Sequence, residues 1–194
     1  GYIVSGRYSY KKAIGQLTDY AVNEGYAHIT LNHNGVSMIK WYRKTLNEPK
    51  SIYIEGKYGL EIKTYLMLHE LGHHQLRKDW KKFMKRFPVT AHAETKHLKD
   101  KDKKYKRRDS YVVASLEEEF AAWDEGLKLG KKLGIKINMT KWIDFKSKCL
   151  KSYIIFIFMK KYLTLKNLGW VLTAVVVFLL LSLIHISEPT RRYA

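Results

Sequence analysis

A five-residue motif, His69-Glu70-Leu71-Gly72-His73, constrains this chain of 194 residues more than any other feature. In a helix, positions i and i+4 lie on the same face, so the two histidines can direct their imidazole nitrogens to one point. The apolar residues around the motif repeat on that same face. The shared stripe consists of Ile62, Tyr65, Leu66, His69, His73 and Leu76. The pattern predicts a helix over residues 60–76 whose histidines point inward.

Two inward histidines at this spacing are typical of a zinc site. Glu70 lies about 100° around the helix from His69, where it can reach a metal-activated water without being a ligand. Zinc lowers the pKa of such a water, and Glu70 would act as the general base. Gly72 leaves room beside the metal, whereas His74 lies off the ligand face and is expected to be a polar surface group or to support a ligand. We expect one Zn²⁺ per chain, bound by His69 and His73.

A catalytic zinc usually has three protein ligands, so a third is expected elsewhere in the chain. The acidic run Glu117-Glu118-Glu119 belongs to a segment with its own apolar stripe, formed by Leu116, Phe120, Trp123 and Leu127. At about 100° per residue, Glu119 lies about 70° from the centre of that stripe, Glu117 about 90° away, and Glu118 on the opposite side. Glu119 is therefore the preferred third ligand. Glu117 and His92 are alternatives, and a fully solvated face for all three acids is the structural alternative.

The motif helix together with Glu119-Phe120-Ala121-Ala122 resembles the gluzincin-type zinc peptidases, in which a Glu in an E-x-x-A setting completes the HExxH site. The order of elements over residues 9–133 is similar to the compact ImmA/IrrE-like and minigluzincin peptidases, many of which belong to phages and mobile elements. Trp123 stands where the ImmA/IrrE pattern usually has Asn. The resemblance implies hydrolysis of a protein or peptide substrate. It also implies that a strand such as residues 51–54 forms the cleft edge, where an extended peptide can pair.

The remaining pattern predicts an α+β fold of zincin-like type. Further helices are expected over residues 9–22, 112–133 and 140–152, and strands over residues 27–33, 36–42 and 51–54. Asn34-Gly35 is a hairpin turn signal between the first two strands. We expect a small antiparallel or mixed three-stranded sheet packed on the HExxH helix and on a later helix that carries the third ligand.

The chain is strongly basic, with 36 Lys and Arg residues against 18 Asp and Glu residues and a formal net charge of +18. Such a charge attracts polyanions or an acidic partner. Residues 96–108 hold eight basic side chains, and a solvated insertion is their simplest interpretation. The functional alternative is contact with a nucleic acid or an acidic partner through Lys103, Lys104, Lys106, Arg107 and Arg108. A basic nucleic-acid-binding module with a vestigial zinc site is therefore the alternative to an enzyme.

Three zones of composition divide the chain. Residues 1–153 form the expected metallopeptidase domain. Its one cysteine, Cys149, excludes an intrachain disulfide, and a signal peptide is not visible after Gly1, which favours a cytoplasmic protein.

Residues 154–180 are strongly apolar, and residues 168–184 are long enough for a membrane span. If this zone is genuine, the enzyme would be a membrane-tethered protease. The alternative is that the zone derives from out-of-frame or next-gene sequence. Residues 181–194 begin with LSLIHISEPTR, which resembles the translation of a sequencing adapter, and we expect this end to be an artefact.

Overall fold

The computed structural model of the chain describes residues 8–40, 50–96, 105, 108–162, 169, 173, 176 and 177. These residues contain six helices and one mixed three-stranded sheet, so the predicted α+β class is confirmed. The elements in chain order are α1 (Tyr10–Asn23), β1 (His28–His33), β2 (Met38–Lys40), β3 (Ser51–Glu55), α2 (Leu60–Lys78), α3 (Trp80–Arg86), α4 (Pro88–Thr95), α5 (Asp109–Lys132) and α6 (Met139–Tyr162). The chain divides into two compact units, Gly1–Lys151 and Ser152–Ala194.

Helix α1 forms where the helical period of the sequence predicts it. Ser9 caps its first turn, since the Ser9 hydroxyl accepts a hydrogen bond from the backbone N–H of Lys12. Ala13, Leu17 and Ala21 lie one turn apart and are fully buried. The helix ends before Gly25, whose φ of +86° suits glycine and reverses the chain toward the sheet.

The sheet has the order β1-β3-β2, with β1 parallel and β2 antiparallel to β3. Ile52 of β3 lies between Ile29 of β1 and Ile39 of β2. The expected hairpin at Asn34-Gly35 is therefore wrong, because β3 separates the two strands that the turn connects. The central place of β3 follows from its burial. Ser51, Ile52 and Ile54 are buried and no residue of β3 is fully exposed, whereas alternate residues of β1 are exposed to solvent.

The same topology corrects the prediction that residues 51–54 form the edge of a cleft. Both sides of β3 are already hydrogen-bonded to neighbouring strands. An added peptide strand needs unpaired backbone groups at a sheet edge, and β3 has no free side for one. The edges of this sheet are β1 and β2.

Helix α2 carries the motif and matches its predicted range, but the two short helices after it were not predicted. The side chain of Asp79 caps α3 by accepting a hydrogen bond from the Lys82 N–H at 3.1 Å. Pro88 begins α4, where its missing N–H costs nothing. The apolar residues of these helices form a small second core with one residue of α5; its buried members are Phe83, Phe87, Ala91 and Ala121.

Helices α5 and α6 contribute the two largest buried side chains of the main core. Trp123 and Trp142 are 1% and 2% exposed, and their ring centroids lie 5.1 Å apart. The side chain of Asn138 caps α6 by accepting from the Lys141 N–H. This aromatic core therefore forms directly beside the motif helix.

Within the described ranges, no helix is both long enough and apolar enough to cross a membrane. Most of the predicted span, residues 168–184, and all of residues 181–194 lie outside the residues that the structure describes.

Candidate metal centre

Two glycines bring the motif helix into backbone contact with α5. A β-carbon on Gly72 would overlap the carbonyl oxygen of Ala122, and one on Gly126 would overlap the carbonyl oxygen of Leu68. Only glycine allows such an approach, because any side chain would push the helices apart. The space at Gly72 is therefore filled by the backbone of α5, and is not left open beside the histidines as expected.

This close packing places the Glu119 carboxylate against both motif histidines. One carboxylate oxygen lies 3.3 Å from Nε2 of His69, and the other lies 3.6 Å from Nε2 of His73. Within the described part of the chain, these three residues form a group whose ligand atoms all lie within 4.8 Å of one another. Atoms that share a tetrahedral zinc are separated by about 3.4 Å, given metal–ligand distances of about 2.1 Å. The donors, two imidazole nitrogens and one carboxylate, also suit zinc.

The two alternative third ligands lie elsewhere. Glu117 is exposed on the outer face of α5, and His92 is exposed on α4. Their side chains face solvent, whereas that of Glu119 is only 25% exposed. Of the three sequence candidates, Glu119 is the one that lies with the histidines.

The predicted orientation of α5 is wrong at two positions. Glu118, expected on the side opposite the core, is 7% exposed, and Phe120, expected on the apolar stripe, is 45% exposed. Most buried residues of this helix are small; they are Ala114, Ser115, Ala121, Ala122, Gly126 and Gly130. Because two helices in close contact require small residues, the large apolar side chains marked the buried face only in part, at Trp123.

Glu118 is a functional candidate that the sequence analysis missed. Its Oε1 lies 3.4 Å from Nδ1 of His73 and 2.6 Å from Nη1 of Arg77. Burial alone would raise the pKa of Glu118, but His73 and Arg77 outweigh it and lower the pKa to about 2. The sequence carried one signal for this contact. Arg77 follows His73 by four residues, and side chains at positions i and i+4 of a helix are neighbours, so one carboxylate can reach both.

The two imidazoles have opposite electrostatic surroundings. Burial lowers the pKa of His69, and Glu119 opposes that effect only partly. Burial also acts to lower the pKa of His73, but Glu118 and Glu119 outweigh it and raise the pKa to about 10. Burial alone would raise the pKa of Glu119, yet hydrogen bonds to both imidazoles hold it well below its usual range. The carboxylate is thus held in its charged form, which is the form that binds a metal.

His69 is held by an aromatic ring. The Trp123 indole stacks on its imidazole with centroids 4.3 Å apart and planes inclined by 19°. The Nδ1 atom of His69 is buried and has no hydrogen-bond partner in the described structure. An unsatisfied buried nitrogen is costly, so this atom lowers the stability of the fold.

Glu70, the expected general base, is buried beside this group and is 5% exposed. Burial raises its pKa to about 8; the neighbouring His73 acts to lower the pKa, and Glu119 acts to raise it. Glu70 does not belong to the three-residue group.

His74 lies off the ligand group, as expected, but it is buried at 6% exposure and is not a surface residue. Its Nδ1 lies 3.0 Å from the Tyr26 hydroxyl, and its Nε2 lies 3.0 Å from a carboxylate oxygen of Glu24. Both ring nitrogens therefore serve to tie α2 to the end of α1.

The basic segment can be followed only in part. Lys103, Lys104, Lys106 and Arg107 lie outside the described residues. Arg108 is exposed at the start of α5, with its guanidinium carbon 4.9 Å from the ring centroid of Tyr105. The predicted polyanion contact through these residues stays a prediction.

No family model, curated protein or solved structure matches this chain.

Proposed function

We propose that this chain is a zinc-dependent metallopeptidase of zincin-like fold. The observation that supports this most directly is the convergence of His69, His73 and Glu119, with Glu70 buried beside them. Three ligands of these types leave a fourth position for water or substrate, as in catalytic zinc sites.

Three of these residues would bind the metal, and the fourth, Glu70, would transfer the proton. Zinc held by the three ligands would polarise the scissile carbonyl and make a water molecule more acidic. Glu70 would take the proton from that water as it attacks the carbonyl carbon, and would then deliver it to the nitrogen of the leaving amine.

The proposal is tested by measuring zinc content and peptide hydrolysis on the full chain. We expect about one zinc per chain. Glu119→Gln should lose the metal, whereas Glu117→Gln, two residues away on the exposed face, should keep it. Glu70→Gln should keep the metal and lose hydrolysis of an unfolded protein substrate. Cleavage by the Glu70 variant at the parent rate would overturn the mechanism, and a parent chain without zinc would overturn the site.

A second candidate is a basic module that binds nucleic acid around a structural zinc site. The net charge of +18 favours it. Nucleic-acid binding that weakens steeply with salt, in a chain that holds zinc but hydrolyses no peptide, would support this candidate over the enzyme.

A further inference from the structure

We infer that Glu118, held by Arg77, is a positioning residue that sets the proton and the orientation of the His73 imidazole, and so directs its Nε2 to the metal. The inference rests on the proposed zinc site and assigns a role that the motif itself does not contain. Glu118 and Glu119 are neighbours in the chain, yet they would act on opposite sides of the same ring.

The two ring nitrogens of His73 each face a carboxylate. Its Nδ1 faces Oε1 of Glu118 at 3.4 Å, and its Nε2 faces Oε1 of Glu119 at 3.6 Å. A neutral imidazole has one N–H and one lone pair. Both nitrogens face an acceptor, but a metal at Nε2 requires a neutral ring with its lone pair there, and Glu118 then holds the one remaining proton on Nδ1. A carboxylate behind a ligating histidine fixes its tautomer and increases its basicity.

Arg77 determines which carboxylate, Glu118 or Glu119, lies behind the His73 ring and which one faces the proposed metal. Its Nη1 lies 2.6 Å from the same Glu118 oxygen that faces His73, and its Nη2 lies 3.2 Å from Oε2 of Glu94 on α4. The Arg77 and Glu118 side chains are only 10% and 9% exposed, so the pair is shielded from water. The guanidinium carbon lies 4.4 Å from the ring centroid of Phe83, which restricts its movement. Glu118 is thereby kept behind the ring, and Glu119 is left to face the metal.

His69 provides an internal comparison. Its ring is held by stacking on Trp123, and its Nδ1 has no hydrogen-bond partner in the described structure. The effect of removing Glu118 should therefore be confined to His73.

The test compares Glu118→Ala and Glu118→Gln with Glu117→Ala and Glu117→Gln as matched controls, all in the full chain. Zinc affinity is measured by competition with a chelator, and the ring nitrogens of both histidines are followed by ¹⁵N NMR in the zinc-loaded protein. We expect Glu118→Ala to weaken zinc binding by about 10–100-fold and to lose the protected Nδ1 proton of His73. Glu118→Gln should recover part of the affinity, because its amide oxygen still accepts that proton. The His69 signals and both Glu117 variants should be unchanged.

The inference fails if both Glu118 variants match the Glu117 controls in zinc affinity and in the His73 ring signals. If Glu119→Gln still abolishes zinc binding in that case, the proposed metal site stands without this role for Glu118. Absence of zinc from the parent chain overturns the site and the inference together. If Glu118→Ala does not fold, the Gln variant decides, because a faster-exchanging Nδ1 proton on His73 supports the inference and an unchanged one overturns it.

Discussion

The imidazole of His69 lies flat against the indole of Trp123, with ring centroids 4.3 Å apart. Trp123 holds this imidazole by packing. Because Trp123 is itself only 1% exposed, the orientation of the His69 ring depends on the aromatic core around it.

Trp123→Ala should lower both the stability of the fold and the affinity for zinc. Emptying this buried site should cost about 3–5 kcal/mol in the free energy of unfolding, measured with denaturant. Trp142→Ala is the control, because Trp142 is equally buried and contacts Trp123 without stacking on His69. Both variants should lose comparable stability. If zinc affinity falls equally in both, the stack on His69 has no role of its own.

Gly72→Ala should disrupt the site although it changes no ligand. The added methyl would overlap the Ala122 carbonyl, so α2 and α5 must separate and carry the histidines away from Glu119. We expect a loss of about 1–3 kcal/mol in unfolding free energy, together with a marked loss of zinc affinity. Gly15→Ala on α1 is the control, because nothing lies within 4 Å of its β-carbon position. That variant should gain about 0.5–1 kcal/mol, because alanine is the better helix former. Wild-type zinc binding in Gly72→Ala would contradict this account of the packing.

Glu24 should make the fold sensitive to acid. Burial alone would raise its pKa, but Lys78, His74 and Tyr20 outweigh it and lower the pKa to about 2 from the usual 4.5. Because the pKa is lower in the folded chain, the carboxylate stabilises the fold fully above about pH 4.5, and this contribution is lost as the pH falls toward 2. Glu24→Gln should cost about 1–2 kcal/mol near pH 6, after allowance for the half-exposed Lys78, and almost nothing near pH 2. Denaturant unfolding at each pH, with a chelator present, measures the difference. A constant difference across this range would show that the charge of Glu24 is irrelevant.

Arg77→Met should be strongly destabilising. It leaves the buried Glu118 carboxylate with His73 alone and removes the cation beside Glu94. Loss of one member of a buried ion pair costs about 3–5 kcal/mol. The double variant Arg77→Met/Glu118→Leu should recover much of that loss in denaturant unfolding, because no buried charge is then unpaired. If the double variant is no more stable than Arg77→Met, the pair is not the source of the effect.

The sequence predicted the motif helix well because its signal is local. His69 and His73 continue a stripe of large apolar residues, and helical periodicity places all of them on one face. Of Glu119, Glu117 and His92, only Glu119 lies beside the histidines, and it does so for a partly different reason from the one predicted. The buried face of α5 combines small residues, such as Ala122 and Gly126, with Trp123 from the predicted apolar stripe.

The order of the strands could not be predicted in the same way. Asn34-Gly35 indicates a turn correctly, but it cannot specify which strand will lie beside β1. That choice depends on packing between distant segments, and the more deeply buried Ile52 and Ile54 take β3 to the centre. The missed helices α3 and α4 had usable local signals in the Asp79 cap and in Pro88. Their short length concealed both of them, and the high charge of α3 added to this.

The contact of Gly72 with Ala122, and of Gly126 with Leu68, also limits how this molecule can move. At these two points main chain lies against main chain, and no flexible side chain lies between the helices to absorb sliding. A shift in register by a single residue would turn the side chains of one helix by about 100° and separate Glu119 from the histidines. The distance between the histidines and Glu119 therefore depends on two positions that carry no side chain.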